Sequence, residues 1–581
     1  MNEPMPEPMP EFMPEVGDRQ LWTLALGGAL AMFLVQPPAD LWWAAWLAPL
    51  PWLAIVAAAS LGAGRPWRVL WVAGFLHWLA TIHWLRLPHP ATALGWVLLS
   101  AYLACYLPAF VWLARRLVHR WHWPLAAAAP LAWVACEQLR GRVLGGFTFA
   151  GLGHTQWRWT TLIQVADIAG AVGVSGLVMT VAAGLAAVGA ATGGGAGSRS
   201  LRRGAVQFAA AAGVLALGLA YGAWRLATAP VPEGEPLELL LVQGSIDTEL
   251  KHDRDAVADV TRHYDELTVA GLAAWPDGGR PDLVVWPETM WRLGLLEIDA
   301  AEPLDEPLVA RLLGPEPAGA DAVQRAERQA RCRRLLEEER RAALAAFARR
   351  YGTCWLVGLD RQSIAPAGTR HYNCGLFLDA TGRPVACYDK MHPVMFGEYV
   401  PLADRFPVLY RLTPLPAGLT AGTEPVAAEI AGRRVAVNIC YETALPDAVR
   451  SLVNALETRA GPPDLLVNLT NDGWFWGSSE LDMHLVAAIF RAVEVRTPIA
   501  IAANTGFSAA IDGCGRLLER GPRRATATLR ARLHPDGRRS PWRVAGTVPL
   551  GACVAVAGAV TLEAALAARR RGRLQRPSRA D

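Results

Sequence analysis

Lysine is nearly absent from this chain. Of 56 basic residues only two, Lys251 and Lys390, are lysine, and the rest are arginine. A chain that writes positive charge as arginine has no need of lysine for a surface charge. The lysine of "YDKMHPVMFGEYVP", residues 388–401, therefore points to a task for a compact ammonium on a flexible stem, which a planar guanidinium cannot do. Metal-ligand motifs are missing too, with no Cys-x-x-Cys and no His-Glu-x-x-His. The nine cysteines are an odd number, scattered singly from Cys105 to Cys553. They offer neither a zinc site nor a disulfide framework, and most read as small buried apolar residues. No metal or other cofactor is expected. Also lacking is a basic stretch before the first apolar run. The opening "MNEPMPEPMPEFMPEVGDRQ" is acidic and proline-rich, which argues against a cleaved signal peptide and for a disordered tail over 1–20 before a retained helix.

What the chain has in quantity is apolar surface. A hydrophobic content of 52% and 24 tryptophans point to a membrane protein. Apolar runs at about 21–36, 41–61, 69–87, 92–114, 123–139, 170–192 and 205–227 predict a seven-helix transmembrane region over 21–227, each run near the ~20 residues a bilayer core demands. An eighth run, about 545–567, precedes a basic tail at 568–581. Tryptophans flank several spans, as in "LWWAAWLAPLPW", which suits the interfacial aromatic belt. Placing the N-terminus inside gives inner loops with Arg65 and Arg68, then Arg115, Arg116 and Arg120, then Arg199, Arg202 and Arg203. The outer loops before residue 228 carry only Arg86, Arg140, Arg142 and Arg158. The positive-inside rule then puts both termini in the cytoplasm and the stretch between the last two spans outside it. Arginines right after a span read as a topology anchor, so nucleic acid is not an expected partner.

Between about 236 and 540 the pattern changes. Short apolar runs such as "LELLLVQGS", "PDLVVWPE", "TCWLVGLD", "RRVAVNICYE" and "PDLLVNLTNDG" alternate with helical stretches, notably 325–350 and 480–496. Interleaved apolar strands and helices predict an α/β domain with buried sheets. The acidic, Pro- and Gly-containing segment 293–324 reads as a long inserted loop, with "LGLL" and "LVARLL" as apolar patches suited to a lid.

Three strands of this domain stop on a reactive residue. "DLVVW" runs into Glu288, "VACYD" into Lys390 and "VAVNI" into Cys440, at a strand-to-helix turn whose N–H groups favour thiolate. Strand ends are where α/β folds assemble sites. A thiol needs a nearby carboxylate to take its proton, and a tetrahedral oxyanion needs a fixed positive donor, which a lysine and the backbone N–H after the cysteine supply. Glu288, Lys390 and Cys440 thus form a metal-free acyl-transfer set.

The stretches "VVWPE", "YDKMHPVMFGEYVP", "NICYE" and "VNLTNDGWF" resemble the nitrilase, or carbon–nitrogen hydrolase, superfamily, which implies an α-β-β-α sandwich with a Glu-Lys-Cys triad. The longer forms "NLTNDGWFWGSSELDMHLVAAIFRAVE" and "ANTGFSAAID", with "CEQLRGRVLGGFTFAGLG" in the membrane region, look like the apolipoprotein N-acyltransferase family. That resemblance implies Glu288 as general base, Lys390 as triad lysine and Cys440 as nucleophile, with Glu398, Tyr441 and Glu442 in support. In "VQGSIDTELKHD" the family often has tryptophan where this chain has His252. Lys251 and His252 are candidate substrate-binding residues.

The implied reaction is ping-pong. Cys440 takes an acyl chain from a membrane phospholipid as a thioester. The N-terminal amine of a lipoprotein's diacylglyceryl-cysteine then accepts it. The implied setting is the cell inner membrane, with the catalytic domain in the periplasm. A membrane-tethered amidase using the same triad on a soluble amide is the alternative, since water and an amine are both competent second nucleophiles. Seven preceding spans and the Glu137–Arg140 motif weigh against it.

Overall fold

The computed structural model describes residues 15–62, 64–192, 198–231, 234–247, 256–317, 320–403, 405–412 and 418–574. The chain divides into two compact units, residues 1–229 with 539–581, and residues 230–538. The greater part of the expected N-terminal tail lies outside the described residues, and its end is already helical from Asp18. The expected basic tail begins as helix, because Val548–Leu574 runs through its first residues.

The first unit is helical. Among the described residues four helices are long and apolar enough to cross a membrane: Thr92–His119, Ala166–Thr192, Ser198–Ala227 and Val548–Arg570. The other expected spans are shorter. Asp18–Leu34, Pro66–Thr81 and Leu125–Arg140 have 17, 16 and 16 residues. The 41–61 run breaks into a 3-10 turn, Trp42–Trp46, and a helix, Leu50–Ala57. Pro49 and Pro51 fall at the break, where their missing N–H groups interrupt the helical ladder. Acidic residues buried in this unit are paired, as apolar surroundings demand. Asp167 sits 2.8 Å from Arg225 Nε and accepts from the Tyr221 hydroxyl at 2.5 Å. Glu137 accepts from the Leu152 N–H at 3.0 Å, and Arg140 lies 5.0 Å over the Trp78 ring.

The second unit holds two six-stranded sheets. Its strands are β1 Leu237–Gln243, β2 Leu283–Ile298, β3 Cys354–Ala365, β4 Gly368–Leu378, β5 Pro384–Asp389 and β6 Ala427–Ile430. They continue with β7 Arg433–Ile439, β8 Leu465–Thr470, β9 Ile499–Ala503, β10 Ala509–Ile511, β11 Leu517–Arg520 and β12 Ala527–Leu533. One sheet runs β12-β1-β2-β3-β4-β5 and the other β11-β10-β9-β8-β7-β6. The centre of each is parallel, β1-β2-β3 and β7-β8-β9, and these strands are covered on both faces. That is why they read as unbroken apolar runs rather than alternating ones. The sheets pack face to face, β1 and β2 against β9 and β4 against β7. A Cβ at Gly375 would meet Leu469 at 3.2 Å and Val437 at 3.3 Å, so the facing sheet approaches β4 closely there. This is the expected nitrilase-like sandwich.

Among its described residues the segment 293–324 is not one long loop. Strand β2 continues to Ile298, pairing with β3 from Leu295↔Arg361 to Ile298↔Ile364. A helix covers Glu306–Leu313, and the long helix Ala322–Tyr351 opens on a capping box of Asp321 and Gln324. Polar side chains of that helix fasten the segment. Gln329 accepts from Leu304 N at 2.8 Å and donates to Leu304 O at 3.0 Å, Arg328 donates to Gly314 O at 2.6 Å, and Glu337 accepts from Ile298 N at 2.8 Å. Local composition shows none of these contacts, which fasten the described part of the segment to the long helix.

Candidate active site

Glu288 does not end a strand, as its sequence context implied. It sits in a bulge. Trp286 pairs with Val357 and Trp291 with Leu359, so four residues, Pro287 to Met290, stand opposite Gly358 alone. Proline cannot donate to the ladder and starts the break. Thr289 takes a left-handed φ of 55°. Only glycine fits on the partner strand, since a Cβ at Gly358 would lie 2.2 Å from Pro287 O and 2.7 Å from Glu288 Cα. The bulge turns a buried carboxylate (6% exposed) out of the ladder. One oxygen accepts from Asn373 Nδ2 at 2.6 Å and the other from Asn471 N at 2.9 Å.

Lys390 follows the last residue of β5. Its N–H donates to Asn373 O and its own carbonyl accepts from Gly422 N, each at 2.8 Å. Its ammonium is 1% exposed, 2.6 Å from Glu398 and 3.5 Å from Glu288. Burial opposes that charge, but the carboxylates of Glu398 and Glu288 outweigh it and hold the lysine above its ordinary value. Glu398's second oxygen accepts from Val394 N at 2.7 Å, closing a tight turn after the lysine. Phe396 and Leu402 flank this turn and stay exposed.

Cys440 follows β7 with φ 52° and opens the short turn Cys440–Ala444. Its thiol is pushed well up, first by burial and then by the negative charge of Glu288, against the pull of Lys390. Both effects favour the thiol over the thiolate expected at a helix start. A single 3-10 turn supplies too little positive potential to offset burial and a facing carboxylate.

Glu442 ties the lysine and cysteine segments together. Its carboxylate accepts from the Tyr388 hydroxyl at 2.8 Å, from Met391 N at 2.8 Å and His392 N at 2.9 Å, and from Ile439 N at 2.7 Å. It therefore fixes the residues just after Lys390 and just before Cys440 with one group. Tyr441 is held neutral, its phenol pushed up to about 12 by burial and then by Tyr399. Lys251 and His252 lie outside the described residues.

Four residues were missed in the sequence. Asn373 and Asn471 orient Glu288. Asp472 and His484 brace Cys440. His484 Nε2 is 3.1 Å from Cys440 O and Nδ1 is 3.2 Å from an Asp472 oxygen. Both partners are acceptors, so both ring nitrogens donate and the ring is an imidazolium. Burial works against this charge, but the Asp472 carboxylate and then Glu480 bring it up to about 9. Burial, then Asp472, pushes Glu480 well up. Asn468 Nδ2 adds a second donor to Cys440 O at 3.2 Å. "NLTNDGWF" held two of the four, but a lone histidine on an apolar helix carries no signal of its own. Asp472, Glu480 and His484 have the ligand types for a metal, yet a ring donating from both nitrogens has no lone pair to give.

The arrangement has the groups that acyl transfer needs: a half-buried thiol, a buried carboxylate and a fixed ammonium. Two family profiles match the chain, the apolipoprotein N-acyltransferase N-terminal domain over residues 28–184 and carbon–nitrogen hydrolase over 273–540. An apolipoprotein N-acyltransferase of Rhodopirellula baltica is 30% identical over 93% of this chain and 96% of its own. One of Geobacter metallireducens is 30% identical over 90% and 92%. Among solved structures, a nitrilase-superfamily amidase of Nesterenkonia aligns at 18% identity and a TM-score of 0.33, covering 55% of this chain and 98% of its own.

Proposed function

The chain belongs to the apolipoprotein N-acyltransferase family, and from that premise we propose that Cys440 carries an acyl chain from a membrane phospholipid to the N-terminal amine of a lipoprotein's diacylglyceryl-cysteine. In the first half-reaction Glu288 takes the Cys440 proton as sulfur attacks the ester carbonyl. The oxyanion forms against the Lys390 ammonium and the Tyr441 backbone N–H. Collapse expels the lysophospholipid alkoxide, which receives the proton from Glu288, and leaves a thioester. In the second half the lipoprotein amine attacks that thioester. Glu288 accepts the amine proton and returns it to the departing sulfur.

The observation that carries this reading is the buried Lys390 ammonium 3.5 Å from the Glu288 carboxylate, with Glu442 tying the residues after Lys390 to the residue before Cys440. The exposed Phe396, Leu402 and Phe406 on the segment bearing Glu398 supply apolar surface for the acyl chain. The arginine asymmetry supports an inner-membrane setting with residues 230–538 on the periplasmic side.

Incubating the purified chain with a defined phospholipid and trapping the adduct by mass tests the proposal. The expected result is one acyl group on the Cys440 peptide, stable in water until a diacylglyceryl-cysteine peptide is added. A thioester that water discharges at once would favour the tethered amidase. Full activity in Cys440→Ala would end the mechanism.

A further inference from the structure

Outside the chemistry just described, two cysteines lie side by side. Cys374 on β4 and Cys387 on β5 have Sγ atoms 2.7 Å apart, about 0.7 Å beyond the ~2.05 Å of a disulfide bond. Cys374 pairs with Asp389 and Cys387 with Leu376, so the two are diagonal neighbours on one face of an antiparallel ladder. That is a distance side chains span. Cys374 is buried and Cys387 exposed, so one sulfur is open to a soluble oxidant while the other is held for it. Burial and then the neighbouring Cys387 hold the Cys374 thiol above its ordinary value, with the Arg361 guanidinium pulling the other way, so the exposed Cys387 is the sulfur that reacts first. Two singly spaced cysteines thirteen residues apart gave no motif in the sequence. The hairpin registers them.

We infer that Cys374 and Cys387 are a redox pair that closes to a cross-strand disulfide by exchange with a low-molecular-weight disulfide. Cys387 as thiolate attacks one sulfur of the reagent and releases one thiol. Cys374 then attacks the mixed disulfide at the Cys387 sulfur and releases the second. The protein loses two hydrogens and two electrons, and the reagent becomes two thiols. The link has a structural consequence at the site. Asn373, next to Cys374, donates to Glu288 and accepts the Lys390 N–H, and Lys390 follows Cys387 by three positions. A bond between the two strands pins the residues that hold the lysine in register. This inference does not depend on the acyl acceptor or donor.

The test uses the full chain in detergent with Cys440→Ser, so that the nucleophile does not compete for the reagent. After complete reduction, the protein is treated with oxidised glutathione, alkylated under denaturing conditions and mapped as peptides. The expected product is a linked peptide containing Cys374 and Cys387, released by dithiothreitol. Oxidation should also raise the unfolding temperature of this protein and leave that of a Cys387→Ser version unchanged. Alkylation of both thiols after oxidant, a glutathione adduct that stays on Cys387, or an equal temperature shift with and without Cys387 would each overturn the inference.

Discussion

Glu442→Gln is the sharpest probe of how this site is assembled, because it keeps the shape and removes the charge. The carboxylate gathers Met391 N and His392 N on one oxygen, Ile439 N on the other, and the Tyr388 hydroxyl between them. An amide must point its NH2 group at one of these sides. Facing Met391 and His392 it opposes two backbone donors, whereas facing Ile439 it opposes one, and Tyr388 can rotate its hydroxyl to accept. The variant therefore takes the second orientation and loses a hydrogen bond to a charged group, leaving the Ile439 N–H buried without an acceptor. Such a loss costs about 1.5–3 kcal/mol. The remaining bonds also weaken from charge-assisted to neutral, so a total near 3 kcal/mol follows. If that cost falls on the approach of Cys440 to Lys390, thioester formation slows by about 100-fold. The assay is single-turnover release of lysophospholipid, with the unfolding temperature measured alongside. A Glu442→Gln protein that acylates within about threefold of the parent, whatever its stability, would refute the claim that this carboxylate positions the lysine and cysteine segments.

Cys440→Ser should insert and fold yet form no acyl-enzyme, as mass analysis after phospholipid exposure would show. Lys390→Arg should be nearly as inactive as Lys390→Ala in the same assay, because the ammonium is fully buried between Glu398 and Glu288 and a guanidinium is too wide for that place. A near-parental rate would make the rarity of lysine an accident of composition. His484 has a folded-state value, about 9, above its ordinary 6.5. Its contribution to stability is thus full below pH 6.5 and lost as pH rises through about 9. The gap in unfolding temperature between parent and His484→Gln should accordingly narrow from pH 6 to pH 9.5, and a constant gap would rule out the imidazolium. A reporter fused near residue 235 should read as periplasmic and one after Arg571 as cytoplasmic, and opposite signals at both points would overturn the arginine argument.

By itself the sequence determined the class of both halves of the chain and singled out the candidate reactive set. Long apolar runs with a one-sided arginine distribution report membrane spans, because the bilayer acts on hydropathy, which each residue carries locally. Buried parallel strands report themselves likewise, as runs such as "LLLV" and "LLVNL". Lys390 stood out because a residue chosen for its shape appears against a background of arginine. Only the tertiary structure decided what depends on partners distant in the chain. Proline breaks shortened the expected 41–61 span, and side chains of the helix Ala322–Tyr351 ordered a segment whose composition reads as loop. Glu288 reaches the site through a bulge that exists because the opposite strand has Gly358. Asn373, Asp472 and His484 gain their roles from hydrogen-bond partners that other segments bring to them, and Cys374 and Cys387 become a pair only when a hairpin sets their register. A polar or sulfur side chain means little until its partner is known, and the fold supplies the partner.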